Sequence, residues 1–504
     1  MLIPGIDAGN SRFKYAVADE AGNPKLITNR FGESFTPSAV FFTSDGSTIV
    51  GTEALNAGFA EPQRLVTNWK RAMGTDTALY IDDNGKEYFA MDILAILLAD
   101  AKESIETKTD QVVNEAVITV PANYSDLQKQ QTIDAASKVG IKAILLPHEP
   151  TAAALGNKLH DRNNCTALVY DLGGGTFDVT VVRSRGNVFT IIATGGDSNI
   201  GGRDFNDRIS EKLLDEFEVK NSFRPQKDQD PIFYQEMTQR IEQLKISLSI
   251  QNQSQIVLSC QGKQLQMTIT RQQFDSWVMD LAVKTMAKTN QVIKDKNLDI
   301  SQIDEVYAVG GGAMMPIIIE QLEELTGKKV SRRCEPHVAA ALGAVFAGRL
   351  EYKRKNEPYP NGDVVLPAPD YILHEILSHS VGVLVLDENG NDICNEILAK
   401  DTPVPSIQTK LFKLSEPDQM AVTIKILQGE NGQDADSCQP LGHFELEGLP
   451  ARPDMIGRIE VTFSLDNNGI LTARARDNAS GKTAEMEINY EISANSDANQ
   501  VDAA

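Results

Sequence analysis

At 504 residues the chain is long enough for two or more domains with their own cores, and 41% hydrophobic with 23% charged residues is the composition of an ordinary soluble protein. A formal net charge of −22 argues against broad binding to nucleic acid or to anionic membranes. The five cysteines, Cys165, Cys260, Cys334, Cys394 and Cys438, show no CxxC spacing, which fits a reducing compartment better than a disulfide framework or a zinc site. The start, MLIPGIDAGN, leaves no room for a leader peptide, and no apolar run approaches the roughly 18 residues of a membrane span, so a cytoplasmic location is expected.

The first predicted element is a short apolar strand that ends at Asp7, inside GIDAGNS (5–11). The same device returns 164 residues later in VYDLGGGTFDVT (169–180), where a strand ends at Asp171 and three glycines follow. Glycines at these turns let the backbone bend tightly and bring its N–H groups close to an anion, so two opposed phosphate cradles are predicted. A carboxylate beside a polyphosphate repels it unless a cation lies between them, which adds magnesium held largely through water. Either turn alone also reads as a plain β-hairpin, DLGGGTFD being the more specific of the two. Neither carries the Walker lysine or the GxGxxG dinucleotide pattern.

Up to about residue 350, strand-like runs (116–120, 167–170, 306–309) alternate with helix-like stretches such as 126–139 and 239–249, an α/β pattern with buried strands. Residues 351–370 are polar and proline-rich, as a linker is, and end in the apolar stretch YILHEIL (371–377). After 377 the period changes to two in AVTIKIL (421–427), RIEVTFSL (458–465), ILTARAR (470–476) and KTAEMEINY (482–490). With DNNG (466–469) and DNASG (477–481) as hairpin turns, these predict a compact antiparallel β domain over 378–492, before a polar tail, 493–504, expected to be disordered.

The two cradles, VITVPANY (117–124), HEPTAAAL (148–155), GGDSNIGGRDF (195–205), VGGGAMMP (309–316), HVAAALGA (337–344), AVTIKILQGE (421–430) and IEVTFSLDNNGIL (459–471) stand in an order that resembles the DnaK-type, seventy-kilodalton heat-shock chaperone family. The resemblance covers nearly the whole chain. It implies an actin-like ATPase of two lobes over 1–350, built on a duplicated ribonuclease H-like fold, then a linker over 351–377 with an apolar docking segment, then a peptide-binding β-sandwich. The implied activity is ATP hydrolysis coupled to binding of extended apolar segments of unfolded proteins. ATP or ADP, magnesium and a potassium ion come with it, as do J-domain co-chaperones and nucleotide exchange factors as partners.

By the same resemblance Lys70, in NWKRAMG, is the lysine that neutralises or orients the transferring phosphoryl group. Glu149 and Asp171 match the acids that position water and hydrated magnesium, and Asp7, Thr176 and Asp178 complete that network. Asp7, Asp171 and Asp178 are the implied metal-binding acids, mostly through water, with potassium beside Asp178. Gly9, Asn10, Ser11, Gly173, Gly174 and Gly175 form the cradles, and Gly201 and Gly202 add backbone contacts to phosphate. Glu242, Lys245 and Ser249, on one helix face, match the groups that hold ribose and the adenine edge, with Gly310, Gly311, Met314 and His337 on the other side of the base. In the β domain Val383, Leu386, Phe412, Val422, Ile424 and Ile470 match the peptide channel, with Val422 at its central pocket and Leu386 and Ser415 arching over the bound backbone. Pro121, Lys129, Leu373, Glu375 and Ile376 match the relay between domains.

The chain departs from the family pattern at several of these places. Asn10-Ser11 replaces a pair of threonines and Arg12 adds a cation. Met314 replaces a stacking arginine, His337 an aspartate, Glu375 an aspartate, and Lys129 an arginine whose bidentate geometry is lost. Leu145 and His148 stand where arginine and asparagine contact J-domains, which weighs against ordinary J-domain stimulation. The family continues into a helical lid, whereas this sequence ends about fourteen residues after its last strand, so a lidless form with fast peptide exchange is expected. A nucleotide-binding holdase or co-chaperone with a vestigial ATPase is the alternative; the β domain disfavours a small-molecule kinase on the same clamp.

Overall fold

The computed structural model describes residues 2–487, apart from 160–161, 163, 187, 198, 332, 362–363, 367–368, 378, 415–418, 451–458 and 467–469. The chain divides into two compact units, one of residues 1–73, 77–124 and 132–378, the other of 74–76, 125–131 and 379–504.

Two sheets organise the first unit. In one, Gly5–Ala8, Arg12–Ala18 and Pro24–Ile27 follow each other antiparallel, while Glu115–Ile118 and then Lys142–Leu145 extend the sheet in parallel from Gly5–Ala8. In the other, Cys165–Leu172, Phe177–Arg185 and Val188–Asp197 are antiparallel, and Glu305–Val309 and Val330–Ser331 extend it in parallel from Cys165–Leu172. The connectivity is therefore repeated, just as the glycine device is repeated in the sequence. Strands covered on both faces read as continuous apolar runs rather than alternating ones, and every residue of Cys165–Leu172 is buried.

Two helices fix the floor between these sheets. Glu149–Gly156 and Ala339–Arg354 touch backbone to backbone: a Cβ on Gly343 would fall 1.6 Å from the Ala152 carbonyl oxygen, and one on Gly156 would fall 2.0 Å from that of Ala339. Only glycine permits such an approach, and it seats Glu149, the first residue of its helix, beside the end of the first sheet.

The apolar stretch 371–377 belongs to this unit. Ile372–Ile376 pairs in parallel with the start of Val188–Asp197, Leu373 opposite Phe189. Tyr371 packs edge-on against Phe189 and Phe346, with ring centroids 5.7 and 6.4 Å apart. Ile376 and Leu377 are buried, whereas Ile372 is exposed.

The second unit is all β. One antiparallel sheet orders Asp392–Leu398, Val381–Leu386, Ala421–Gln428 and Gln439–Glu447; the other orders Ser406–Phe412, Ile459–Leu465, Leu471–Asp477 and Thr483–Glu487. Period two is explicit in Ile459–Leu465, buried at every odd-numbered residue and half-buried between. The expected turn at 477–481 closes with the Gly481 amide donating to the Asp477 carbonyl at 2.8 Å. Ser415, most of the turn 466–469, the end of the last expected strand and the tail 493–504 lie outside the described residues. Among the described residues no helix is long and apolar enough to cross a membrane.

Candidate active site

The two glycine turns face each other. A Cβ on Gly174 would fall 1.9 Å from Ser11 Oγ, and one on Gly175 would fall 2.8 Å from Asn10 Nδ2, so the bare backbone of the second turn receives the side chains of the first. A cavity of about 1030 Å³ opens beside them. Its walls include Asp7, Gly9, Asn10, Ser11, Lys70, Glu149, Asp171, Gly173, Gly174, Gly175 and Thr176, the residues that the sequence assigns to phosphate and water.

Lys70 lies in the 3-10 turn Trp69–Ala72, entered through Asn68 in the left-handed region at φ 57°. Its ammonium is buried and donates to Glu149 Oε1 at 2.5 Å and to the Ala8 carbonyl at 2.6 Å. Asn10 Oδ1 accepts from the Lys70 amide at 3.2 Å, which ties the lysine to the first cradle. Behind this pair sits a group of buried acids. Burial, then the negative charges of Glu149, Asp178 and Asp7, push the Asp171 carboxyl well above the usual range. Asp178 is pushed up to about 7, first by burial and then by Glu149, with the Thr176 hydroxyl bonded to it as a counterweight.

The opposite wall carries Gly202, Glu242 and Lys245, and Gly310, Gly311 and His337 also line the cavity. Lys245 Nζ lies 2.8 Å from Glu242 Oε2, and Arg12 reaches Glu242 Oε1 at 3.6 Å. Gly201 caps the helix Gly202–Asn221, and the amide of Gly202 donates to the Gly173 carbonyl at 2.9 Å. Burial first, then Lys14 and Arg12, hold the His337 imidazole below its usual pKa, so it is neutral at pH 7. Four expected residues are off the wall: Gly201 and Asp178 do not line it, Ser249 Oγ donates back to the Lys245 carbonyl at 2.8 Å, and Met314 stands 47% exposed.

Three further residues escape a reading of the sequence alone. Lys14 Nζ donates to Asp7 Oδ2 at 2.8 Å, both side chains being buried. Arg71 forks onto Asp204 and also donates to the Gly175 carbonyl at 2.7 Å. Tyr124 lies under Lys70, whose Nζ is 5.8 Å from the ring centroid. Arg71 neighbours a residue that the motif does mark, and Lys14 sits seven positions after Asp7 as Asp178 sits seven after Asp171; those are the signals that could have found them.

Among the relay residues, Pro121 is buried, Lys129 lies on the helix Asp126–Lys138, and Leu373, Glu375 and Ile376 lie on the paired strand Ile372–Ile376. Glu375 Oε2 sits 3.2 Å from His148 Nδ1 and accepts from Thr151 Oγ1 at 3.3 Å, so the helix that begins at Glu149 is tied to the docked strand. In the second unit Val383, Ile424 and Ile470 are buried, Phe412 and Val422 half-buried, and Leu386 is 57% exposed.

The acids suit hydrated cations. Asp178 Oδ1 is buried and finds no hydrogen-bond partner among the described residues. No three His, Cys, Asp or Glu side chains among the described residues are placed to ligate one ion directly. Asp7 differs in its surroundings, with the ammonium of Lys14 2.8 Å from its Oδ2. A family model described as Hsp70 protein matches residues 3–503.

Proposed function

The chain belongs to the Hsp70 family, whose members are ATP-binding chaperones, and we propose that it hydrolyses ATP in the cavity of the first unit and couples this to binding of extended apolar polypeptide in the second. The repeated sheets then act as the two lobes of an actin-like clamp. The observation that carries the reading is the buried Lys70–Glu149 pair at 2.5 Å, set directly beneath two opposed glycine hairpins.

With ATP in the cavity, the backbone N–H groups of the hairpins face its phosphates. Lys70 has three donors and spends two on Glu149 and Ala8, which leaves one for a γ-phosphoryl oxygen. Glu149, held by that lysine, accepts a hydrogen bond from the attacking water and aligns it with phosphorus. Bound magnesium supplies charge neutralisation on the phosphoryl oxygens, and Asp171 and Asp178 hold its water shell. The unpartnered Asp178 Oδ1 fits a potassium ion. Glu242 and Lys245 hold the ribose side, and the neutral imidazole of His337 faces the cavity without adding charge.

In the second unit the peptide lies along Val422, Phe412 and Leu386, the assigned residues that keep solvent exposure. The buried Val383, Ile424 and Ile470 support that surface from below. An exchange factor is a partner of such a cycle and the cytoplasm its setting, whereas Leu145 and His148 weigh against ordinary stimulation by a J-domain protein. The direct test is single-turnover ATP hydrolysis with and without a leucine-rich peptide. Lys70→Ala lowers the rate by about 10² or more while nucleotide binding persists, because the charge it offers matters most in the transition state. Equal rates in variant and wild type would remove Lys70 from the chemistry.

A further inference from the structure

The two hairpins share connectivity but carry opposite charge at one equivalent position. In the first, Asp7 is the cross-strand partner of Lys14; in the second, Asp171 is the cross-strand partner of Asp178. The first pair neutralises itself, with Lys14 Nζ 2.8 Å from Asp7 Oδ2, and Lys14 lines the cavity. The second pair sets two buried acids against each other and leaves Asp178 Oδ1 without a partner among the described residues. A buried ion pair gains little net stability over an apolar pair of the same size, so packing alone does not account for one on the wall of a cavity.

We propose that Lys14 is a built-in monovalent cation for the first hairpin, a positioning residue that keeps Asp7 neutralised and fixed positive charge beneath the phosphates. Dependence of nucleotide binding on potassium then resides in the second hairpin alone. This rests on the nucleotide reading of the cavity. Thr119 Oγ1, 3.4 Å from Asp7 Oδ1, completes the polar shell of Asp7 and leaves the ammonium as its cationic partner.

The test is calorimetric binding of magnesium ADP in potassium chloride against choline chloride at equal ionic strength. In choline, Lys14→Gln binds about tenfold or more weakly than wild type, as expected for loss of a charge-assisted contact. Potassium restores most of that loss, a rescue that a purely structural ion pair would not show. Asp178→Asn, with Lys14 intact, binds equally in both salts. Wild-type affinity of Lys14→Gln in choline, or a loss that potassium leaves untouched, overturns the proposal. Should Lys14→Gln fail to fold, Asp178→Asn decides alone, since a potassium dependence that persists there places a cation at the first hairpin. A wild type that binds no nucleotide in either salt defeats the nucleotide reading and this inference with it, whereas binding by wild type with an indifferent Lys14→Gln defeats only the inference.

Discussion

At the scale of single residues the site is governed by buried acids that outnumber the ammonium groups facing them. Asp178 illustrates the consequence, because burial and then the charge of Glu149 push its carboxyl from 3.8 to about 7. The folded protein therefore keeps a proton that the unfolded chain releases between about pH 4 and pH 7. Stability from this group is greatest at acid pH, declines as pH rises through that window and is flat above it. Asp178→Asn, neutral at every pH, makes the nucleotide-free protein more stable at pH 8 by up to roughly 4 kcal/mol, and the advantage shrinks towards nothing near pH 4. Urea unfolding of both proteins with chelator present, at the two ends of the window, checks this; equal differences at both ends would mean that Asp178 does not titrate there. Lys70 is the complementary case, a buried cation held between a carboxylate and a carbonyl.

At the scale of elements, what could be read in the sequence followed from local chemistry. An apolar strand, an acid and a run of glycines point to a tight turn, and both turns close hairpins. The period-two strands Ile459–Leu465 and Leu471–Asp477 were legible because one face of each is buried. The hairpin Gln253–Cys260 and Lys263–Thr270 alternates in the same way but turns through Gln261-Gly262 rather than a strong turn dipeptide, so its turn carries little local signal. Lys14 was invisible for another reason: its partner is set by strand register, and a slip of one residue would point it to the other face of the sheet. The same holds for Ile372–Ile376, whose apolar residues are plain in the sequence but whose partner, Val188–Asp197, lies far away in it. Burial of Ile376 and partial burial of Leu373 make that strand sensitive to charge. Replacing both by aspartate detaches it, because a carboxylate cannot enter an apolar groove without a large desolvation penalty. Amide exchange then speeds up over 372–376 and 188–190, and ATP no longer triggers peptide release. Unchanged protection with normal ATP-triggered release would show that this strand does not carry the signal.

At the scale of the whole molecule, the chain has two compact units, and the proposed function assigns peptide to one and nucleotide to the other, so the peptide unit can be altered by itself. Val422 is the place to do so. It sits on Ala421–Gln428 opposite Leu446, half-buried, with the fully buried Ile424 and Ile426 anchoring the same strand. Val422→Phe adds apolar volume where the side chain already reaches the surface, so the fold absorbs it at a penalty of about 1–3 kcal/mol or less. A peptide that seats an apolar side chain against Val422 meets a filled pocket and loses affinity by at least about tenfold, the scale of one lost buried side chain. Basal ATP hydrolysis remains at the wild-type rate, since Lys70, Glu149 and both hairpins lie in the other unit, while stimulation by peptide disappears. Fluorescence anisotropy of a labelled leucine-centred peptide, read beside steady-state hydrolysis, separates the two effects. Undiminished binding by a folded Val422→Phe protein would place the peptide elsewhere on the β unit, and lost basal hydrolysis would show that the nucleotide cavity depends on this strand even without a client.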